Sequence, residues 1–427
     1  MTAGGLCNIF AAVQEDNMRL KCGLLGEKLA HSYSPQIHEM LGDYDYRLFE
    51  VEERNLEDFI KNGDWNGLNV TIPYKKTVVP FCKNLSPLAK AIGSVNTLVK
   101  NLDGEIYGDN TDAYGFEKLL LSTGAKVKGK KALILGNGGA CASVNSVLKE
   151  KGCETVVISR TGPENYGNLD KHSDADIIVN TTPVGMYPAN GESPVELKKF
   201  PKFSLVLDII YNPARTALML QAEKLGIANA GGLYMLVAQA KRAAELFLGR
   251  ELPDDKIGTI TETLREDMEN IILIGMPGCG KSTVAGLLGI FAEKDVIETD
   301  RLIVEKAGKS IPEIFGEIGE EGFRKLETEV IAEVSKMSDK IISTGGGCVM
   351  VLKNYDLLHQ NGKIVWLKRD LNKLPTAGRP ISKSRPIEEI YKERAGLYEM
   401  FSDFDADNNG EAEETARNIM KKVWKNR

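Results

Sequence analysis

Ile271-Ile272-Leu273-Ile274-Gly275-Met276-Pro277-Gly278-Cys279-Gly280-Lys281-Ser282 is an unbroken apolar run that ends in a glycine-rich loop and a Lys-Ser pair. Upstream, Ala132-Leu133-Ile134-Leu135-Gly136-Asn137-Gly138-Gly139-Ala140 has the same design with a different loop. A short apolar run closed by glycine reads as a strand buried on both faces, the kind that parallel sheets contain. The chain is therefore expected to be α/β, and two loops of different type imply two cofactors and two reactions in one polypeptide.

Working outward, short apolar strands and helical stretches alternate on both sides of these runs. Strands are expected at 22–25, 46–49, 67–72 and 97–100, which makes 21–112 a first α/β lobe. A second lobe spans 113–232, with strands at 132–135, 155–159, 177–180 and 206–209. Such alternation favours a parallel sheet with covering helices. Met235, Leu236, Ala240, Ala243, Ala244 and Phe247 recur at helical spacing, so 233–252 return as helix to the first lobe. Residues 253–269 are polar and acidic and read as a linker, with helical potential over 257–264; a third α/β unit then fills 270–427. Residues 1–20 carry no clear pattern and read as an extension, with Met18 a second candidate start.

A length of 427 residues suggests two or three domains. No apolar run approaches the roughly 18 residues that a membrane helix needs, and the acidic N-terminus lacks a signal pattern. Seven scattered cysteines without a CxxC pair fit a reducing, cytoplasmic location. Four histidines without ligand spacing predict no structural zinc. A net charge of -6 argues against a broad nucleic-acid surface and leaves small molecules as the expected partners.

The first loop has the chemistry of a dinucleotide site. Gly136 allows a tight turn, Gly138 lets the backbone approach a pyrophosphate, and Gly139 opens a helix whose N-terminal amides face it. The following strand ends in Ser159-Arg160-Thr161. An arginine there suits the 2′-phosphate of NADP, where NAD asks for an acid; on position alone, a solvated loop arginine is the other reading. Hydride transfer to a carbonyl also needs a proton donor. Lys75, in Asn69-Val70-Thr71-Ile72-Pro73-Tyr74-Lys75, and Asp112, in Gly108-Asp109-Asn110-Thr111-Asp112, are candidates. Taken singly, each is also an ordinary turn or helix-start residue.

The second loop fits G-x-x-x-x-G-K-[ST] after a strand. The amides of Gly275, Gly278, Cys279 and Gly280, with Thr283, would cradle ATP phosphates; Lys281 would neutralise the β and γ charges and Ser282 would ligate Mg²⁺. The run Ile341-Ile342-Ser343 ends in Thr344-Gly345-Gly346-Gly347, without the paired acids of a motor ATPase. That leans towards a small-molecule kinase, whose substrate approaches the glycine backbone. Arg379 and Arg394 are candidate arginines over the phosphoryl group, or else solvated charges.

In order, His31-Ser32-Tyr33-Ser34-Pro35, the 69–75 segment, Gly93-Ser94-Val95-Asn96-Thr97, the 108–112 segment and the Gly136 loop are followed by Asn180-Thr181-Thr182-Pro183-Val184-Gly185-Met186. Tyr211-Asn212-Pro213 and Met235-Leu236-Val237-Ala238-Gln239 complete the series. Over 21–250 this resembles shikimate dehydrogenase. The resemblance implies Lys75 and Asp112 as the catalytic pair. It implies Ser32 and Ser34 at the substrate carboxylate, and Asn69, Thr71, Asn96, Tyr211 and Gln239 at its hydroxyls and ring. Gly136, Gly138, Gly139, Ser159, Arg160 and Thr161 would hold NADP, with Met235 near the nicotinamide. Ser159 stands where asparagine is usual, and Gly162-Pro163-Glu164 supply no second basic residue.

The Gly275 loop, Glu298-Thr299-Asp300, Gly319-Glu320-Glu321-Gly322-Phe323-Arg324, the Gly345 triplet, Arg379-Pro380 and the 394–398 segment resemble shikimate kinase over 270–427. By that likeness Asp300 would grip the substrate hydroxyls, Arg324 and Arg394 its carboxylate, and Gly345, Gly346 and Gly347 would line its pocket. Arg379 would belong to a closing lid, and Glu298 would meet Mg²⁺ through water in place of the usual aspartate. Gly396 replaces a usual proline, a change expected to loosen the helix near Arg394. Cys279 and Cys348 flank the site as oxidisable or inert thiols.

The fold implied is a two-lobed dehydrogenase, an α/β substrate lobe plus a Rossmann-like NADP lobe, fused to a P-loop kinase with a parallel sheet. The function implied is NADPH-dependent reduction of 3-dehydroshikimate to shikimate, then ATP-dependent phosphorylation to shikimate 3-phosphate. The alternative is an NAD-linked quinate or shikimate oxidoreductase carrying a regulatory ATP-binding module.

Overall fold

The structure, a computed structural model, describes residues 19–29, 32–374 and 385–424. The chain divides into two compact units. The first comprises the chain up to Val184 with Pro194–Tyr211 and Gln221–Glu262. The second comprises Gly185–Ser193, Asn212–Leu220 and the chain from Thr263 onward.

The first unit contains two sheets. Strands β1 (Lys21–Gly26), β2 (Asp45–Glu50), β3 (Gly67–Val70), β4 (Asn84–Leu85), β5 (Thr97–Lys100) and β6 (Ile106–Asp109) form a sheet in the order β2-β1-β3-β5-β6-β4. Helices α1 (Ser34–Leu41), α2 (Glu53–Asn62) and α3 (Pro87–Ile92) connect them. This sheet is mixed, because β5 runs antiparallel to both β3 and β6. The reason is local. A parallel return needs a crossover of a dozen or more residues, whereas 101–105 is a short turn in which Asn101 Oδ1 accepts from the Glu105 amide at 2.7 Å.

Helix α4 (Asp112–Ser122) leads into the second sheet, built from β7 (Lys131–Leu135), β8 (Glu154–Ile158), β9 (Ile177–Asn180), β10 (Leu205–Asp208) and β11 (Ala228–Gly231). Its order is β11-β10-β9-β7-β8 and every pairing is parallel. Helices α5 (Gly139–Glu150), α6 (Ala217–Lys224) and α7 (Leu233–Leu248) follow in chain order. Leu133, Ile134 and Leu135 are wholly buried, as a strand covered on both faces requires.

Helix α7 lies along α4. Buried Lys241 of α7 donates to Asp254 at 2.6 Å and to the Tyr114 hydroxyl of α4 at 3.3 Å, and it pairs with Glu245 at 2.7 Å. Lys118 and Lys241 hold the Asp254 carboxyl well below the usual carboxylate range. Beyond Asp254, much of the segment read as a linker is helix α8 (Asp255–Met268), whose apolar positions Ile257, Ile260 and Leu264 are buried.

The second unit is built on β12 (Asn270–Ile274), β13 (Asp295–Glu298), β14 (Lys340–Ser343), β15 (Gly362–Lys368) and β16 (Phe404–Asp407), in the all-parallel order β13-β14-β12-β15-β16. Helices α9 (Lys281–Ala292), α10 (Thr299–Ala307), α11 (Ile311–Val334, kinked at Gly319) and α12 (Lys353–His359) cover it, with helices Ile387–Phe401 and Ala412–Val423 closing the fold. In both parallel sheets the glycine loop follows the strand that lies between two others at the topological switch, where α/β folds bind ligands.

One buried group makes the first unit sensitive to acid. His38 of α1 is 1 % exposed, stacks on Tyr46 with ring centroids 3.9 Å apart, and has Nδ1 2.6 Å from the Tyr44 hydroxyl. Burial pushes its imidazole down from an ordinary 6.5 to about 3. The unfolded chain therefore takes up a proton below pH 6.5 that the folded chain refuses. The stability this group permits is complete above that pH and is lost progressively as pH falls towards about 3. Between pH 7 and pH 5 the loss is about 2 kcal/mol. Urea denaturation of wild type and His38→Phe at the two pH values is expected to show the wild type losing that much relative to the variant. Parallel losses would mean that His38 is not held neutral.

Candidate functional site

A cavity of about 230 Å³ opens beside the carboxyl ends of β1 and β3 in the first unit. It is lined by Ser32, Ser34, Asn69, Thr71, Lys75, Asn96, Tyr211 and Gln239, among others. Asp112 stands directly behind it as the first residue of α4. Its Oδ2 accepts from Lys75 Nζ at 2.7 Å and its Oδ1 from Asn96 Nδ2 at 2.9 Å. Asn96 also reaches Gln239 Oε1 at 3.2 Å, while its own Oδ1 accepts from the Thr111 amide at 2.7 Å. A short side chain thus anchors the start of α4, a residue of α7 and the catalytic candidate at once. The Lys75 side chain is 26 % exposed and that of Asp112 only 6 %, so the ammonium faces the cavity and the carboxylate does not.

The expected dinucleotide loop leaves β7 at Gly136, whose φ of 102° belongs to the left-handed region. A Cβ there would fall 2.9 Å from Thr181 Oγ1, which donates to the Leu135 carbonyl at 2.6 Å. Gly138 and Gly139 have open space around them and start α5, leaving the helix amides accessible to an anion. Arg160 and Thr161 are exposed at the end of β8, while Ser159 is tied up: its Oγ accepts from the Gly162 amide at 2.8 Å. Met235 is buried against the second sheet's core.

The P-loop of the second unit borders a larger cavity of about 850 Å³. Lys281, first residue of α9, curls over the loop and donates to the carbonyls of Gly275 and Met276 at 3.0 and 3.2 Å. Asn408 clamps the loop from β16, donating to the Cys279 carbonyl at 2.6 Å. Ser282, Thr283, Glu298 and Asp300 line the same cavity. A serine hydroxyl beside two carboxylates fits a magnesium ion that keeps most of its water. Among the described residues no cluster of three or more His, Cys, Asp or Glu forms a direct metal cage.

Opposite the P-loop, Arg324 and Arg394 face the cavity from α11 and helix Ile387–Phe401. Both are nearly buried and line the cavity with guanidinium groups, so the pair is suited to an anion. Gly345, Gly346 and Gly347 lie between them and the loop. A Cβ on Gly345 would fall 2.6 Å from Asp300 Oδ1 and 2.7 Å from Glu327 Oε1, which is why no side chain fits. Helix Ile387–Phe401 runs unbroken through Gly396. Arg379 lies outside the described residues. Cys348 is buried and its thiol is pushed up to about 12 by burial, so it stays protonated and inert.

Two groups were missed by sequence reading. Glu327 is wholly buried and accepts from Arg324 Nη1 at 2.7 Å; burial pushes its carboxyl up against the opposite pull of that guanidinium. Its i,i+3 spacing from Arg324 was a usable signal. His38 and its neighbours Tyr44 and Tyr46 were missed too, and no local pattern marks them.

The comparisons with known proteins agree with this geometry. Residues 24–98 match the family model described as the shikimate dehydrogenase substrate binding domain, and residues 277–424 match that of shikimate kinase. The NADP(+) shikimate dehydrogenase of Clostridium perfringens (strain SM101 / Type A) is 36 % identical over 265 residues, 57 % of this chain and 97 % of that protein. That of Methanococcus maripaludis is 35 % identical over 254 residues, covering 53 % and 91 %. Among solved structures, the chorismate mutase/shikimate 5-dehydrogenase fusion protein of Clostridium acetobutylicum superposes with a TM-score of 0.56 at 36 % identity, over 58 % of this chain and 98 % of the other. The Thermus thermophilus shikimate 5-dehydrogenase in complex with NADP(H) and shikimate gives 0.53 at 30 % identity, over 57 % and 99 %. The chain belongs to the shikimate dehydrogenase family and carries a shikimate kinase domain as its C-terminal part.

Proposed function

We propose that the first unit reduces 3-dehydroshikimate to shikimate with NADPH and that the second phosphorylates shikimate with ATP, giving shikimate 3-phosphate. The observation that carries the first half is Lys75 held 2.7 Å from Asp112 at the wall of a cavity sized for one small polar ring. The second half is supported by the two guanidinium groups that line the cavity across from the P-loop. When bound, NADPH supplies the hydride, ATP the phosphoryl group, and Mg²⁺ charge neutralisation.

In the first cavity the Lys75 ammonium donates to the reacting oxygen. Asp112 pairs with that ammonium and keeps it aimed. Ser32 and Ser34 meet the substrate carboxylate, and Asn69, Thr71, Asn96, Tyr211 and Gln239 meet its hydroxyls and ring. Gly136, Gly138, Gly139, Arg160 and Thr161 hold the dinucleotide, with Met235 supporting the nicotinamide end. In the second cavity Gly275, Gly278, Gly280, Lys281, Ser282 and Thr283 hold the nucleotide phosphates. Arg324 and Arg394 clamp the acid, and Asp300 accepts the hydrogen of the attacking hydroxyl. We assign both activities to the cytoplasm; six free cysteines among the described residues fit a reducing compartment.

A second reading, NAD-linked oxidation of quinate or shikimate, draws on the closed loop after Arg160, which lacks a second cation. It draws also on a likeness to a quinate dehydrogenase from Corynebacterium glutamicum in complex with NAD, with TM-score 0.53 and 28 % identity. The ratio of kcat/KM for NADPH and NADH separates the two.

The direct test mixes purified protein with 3-dehydroshikimate, NADPH, ATP and Mg²⁺ and identifies products by mass spectrometry. Shikimate 3-phosphate is expected. Accumulated shikimate with no phosphorylated product would remove the kinase half and favour a regulatory ATP-binding module. Lys75→Ala is expected to lower reduction about a hundred- to ten-thousand-fold and leave phosphorylation unchanged; Lys281→Ala should do the reverse. Gly345→Ala should cost the kinase about a hundredfold in kcat, because the added methyl displaces Asp300. Binding of a fluorescent ADP analogue should stay as in wild type. Unaltered phosphorylation in that variant would remove Asp300 and the glycine triplet from the acceptor site.

A further inference from the structure

One buried side chain joins the Lys75–Asp112 pair to the helix that opens on the Gly136 loop. Asn110 lies between β6 and α4 and is 3 % exposed. Its Oδ1 accepts from the Asp112 amide at 3.2 Å and from the Ser143 hydroxyl at 3.3 Å, and its Nδ2 donates to the Ser94 carbonyl at 3.1 Å. A backbone N–H only donates and a backbone carbonyl only accepts, so these partners fix which end of the amide faces which.

Each partner belongs to a different part of the site. Asp112 is the first residue of α4, and the first amides of a helix find no acceptor within it. Asn110 supplies that acceptor. Ser94 leads into Val95, whose amide donates to the Lys75 carbonyl at 2.8 Å, and into Asn96, which holds the second Asp112 oxygen. Ser143 is the fifth residue of α5 and is wholly buried, as is Val144 beside it. A hydroxyl at such a position is costly unless it is bonded, and the bond it makes is to Asn110. The same helix starts at Gly138 and Gly139, which have open space around them and amides free to meet an anion.

We propose that Asn110 is a positioning residue that couples the two ligand sites of the first unit: through Ser143 it ties α5 to the Lys75–Asp112 pair, so that a dinucleotide on the Gly136 loop firms the placement of the proton donor. This inference rests on the proposed dehydrogenase reading of the cavity. Under that reading Lys75 gives its proton to the carbonyl oxygen as hydride from NADPH reaches the carbonyl carbon, and NADP is left. The two deliveries come from different segments and must meet at one carbonyl, where a misplacement of about 1 Å costs about a hundredfold in rate.

Hydrogen exchange of the Asp112 amide reads the coupling without turnover, since that amide is one of the three bonds. It is followed by mass spectrometry on the full chain with and without NADP. NADP is expected to slow this exchange about threefold to tenfold in wild type, the worth of one hydrogen bond. In Ser143→Ala, which should bind NADP within about twofold of wild type, NADP should leave the exchange unchanged. In single-turnover reduction of 3-dehydroshikimate by NADPH, Ser143→Ala should be about tenfold slower and Asn110→Ala about a hundredfold slower. The rate constant itself is expected to fall, whereas partial unfolding would reduce only the amplitude. The double variant should be no slower than Asn110→Ala alone, because one effect passes through the other. Ser143→Ala keeps the test open should Asn110→Ala fold poorly. Exchange in Ser143→Ala that still responds to NADP as in wild type, or rate losses that multiply in the double variant, would overturn the inference. Wild-type protein that binds neither NADP nor 3-dehydroshikimate would instead overturn the reading of the cavity itself.

Discussion

A carboxylate that is almost wholly removed from water has to be paired on both oxygens, and Asp112 is such a group. One oxygen takes Lys75 and the other takes Asn96. Asp112 opens α4, the Lys75 segment follows β3, and Asn96 precedes β5, so satisfying one charge brings three chain segments together. The pairing is favourable only if Lys75 arrives from the cavity side, because among the described residues no other cation pairs with Asp112. The requirement that stabilises the folded site is the same one that aims the ammonium into the cavity. Asn96 carries the constraint onward to Gln239 on α7 and to the Thr111 amide. Residues that would touch substrate are in this way held by residues that do not.

The second unit solves the same problem with another pair. Glu327 is buried without access to water, and Arg324, three residues earlier in α11, is its partner. A carboxylate at that depth fixes the guanidinium but uses only part of its donors, which leaves the guanidinium able to serve an anion in the cavity it lines. The glycine triplet follows from this crowding. With Asp300, Glu327, Arg324 and Pro277 pressed around it, backbone without side chains is what the space admits. Tyr398 and Arg394 then bond to the Gly346 carbonyl, which locks the triplet to helix Ile387–Phe401.

How much of this was legible in the sequence depends on the range of the interaction involved. Strands β7 and β12 and their loops were legible because burial on both faces writes a continuous apolar run, and the loop chemistry follows within a few residues. The members of the first cavity were legible only through the order of motifs, since Asn96 and Gln239 are 143 positions apart yet hydrogen-bonded. The direction of β5 was not legible from periodicity, which says nothing of strand sense; the Asp103-Gly104 turn carried that information. Strand β11, Ala-Asn-Ala-Gly, has too little apolar character to announce itself. His38 and Glu327 escaped notice for a common reason. Each matters through partners supplied by other elements, and a polar residue within a helix looks the same in sequence whether it faces water or a site.

The two cavities differ in size in a way that bears on their chemistry. Under the proposed function, about 230 Å³ takes one ring-sized acid, which leaves water little room to compete. Under the same proposal, about 850 Å³ receives a nucleotide and an acceptor together, and there water is a rival for the phosphoryl group. Positive charge is arranged accordingly. Lys281, Arg324, Arg369, Lys373 and Arg394 surround the larger space against the carboxylates Glu298, Asp300 and Glu327. An excess of cations favours entry of two anionic ligands, and it also means that either ligand alone leaves charges unneutralised. Each anion that binds lowers the positive potential its partner meets, so on electrostatics alone the second anion is held less tightly than the first. The small cavity, with Lys75 already paired to Asp112, has no such excess on the wall described and needs none.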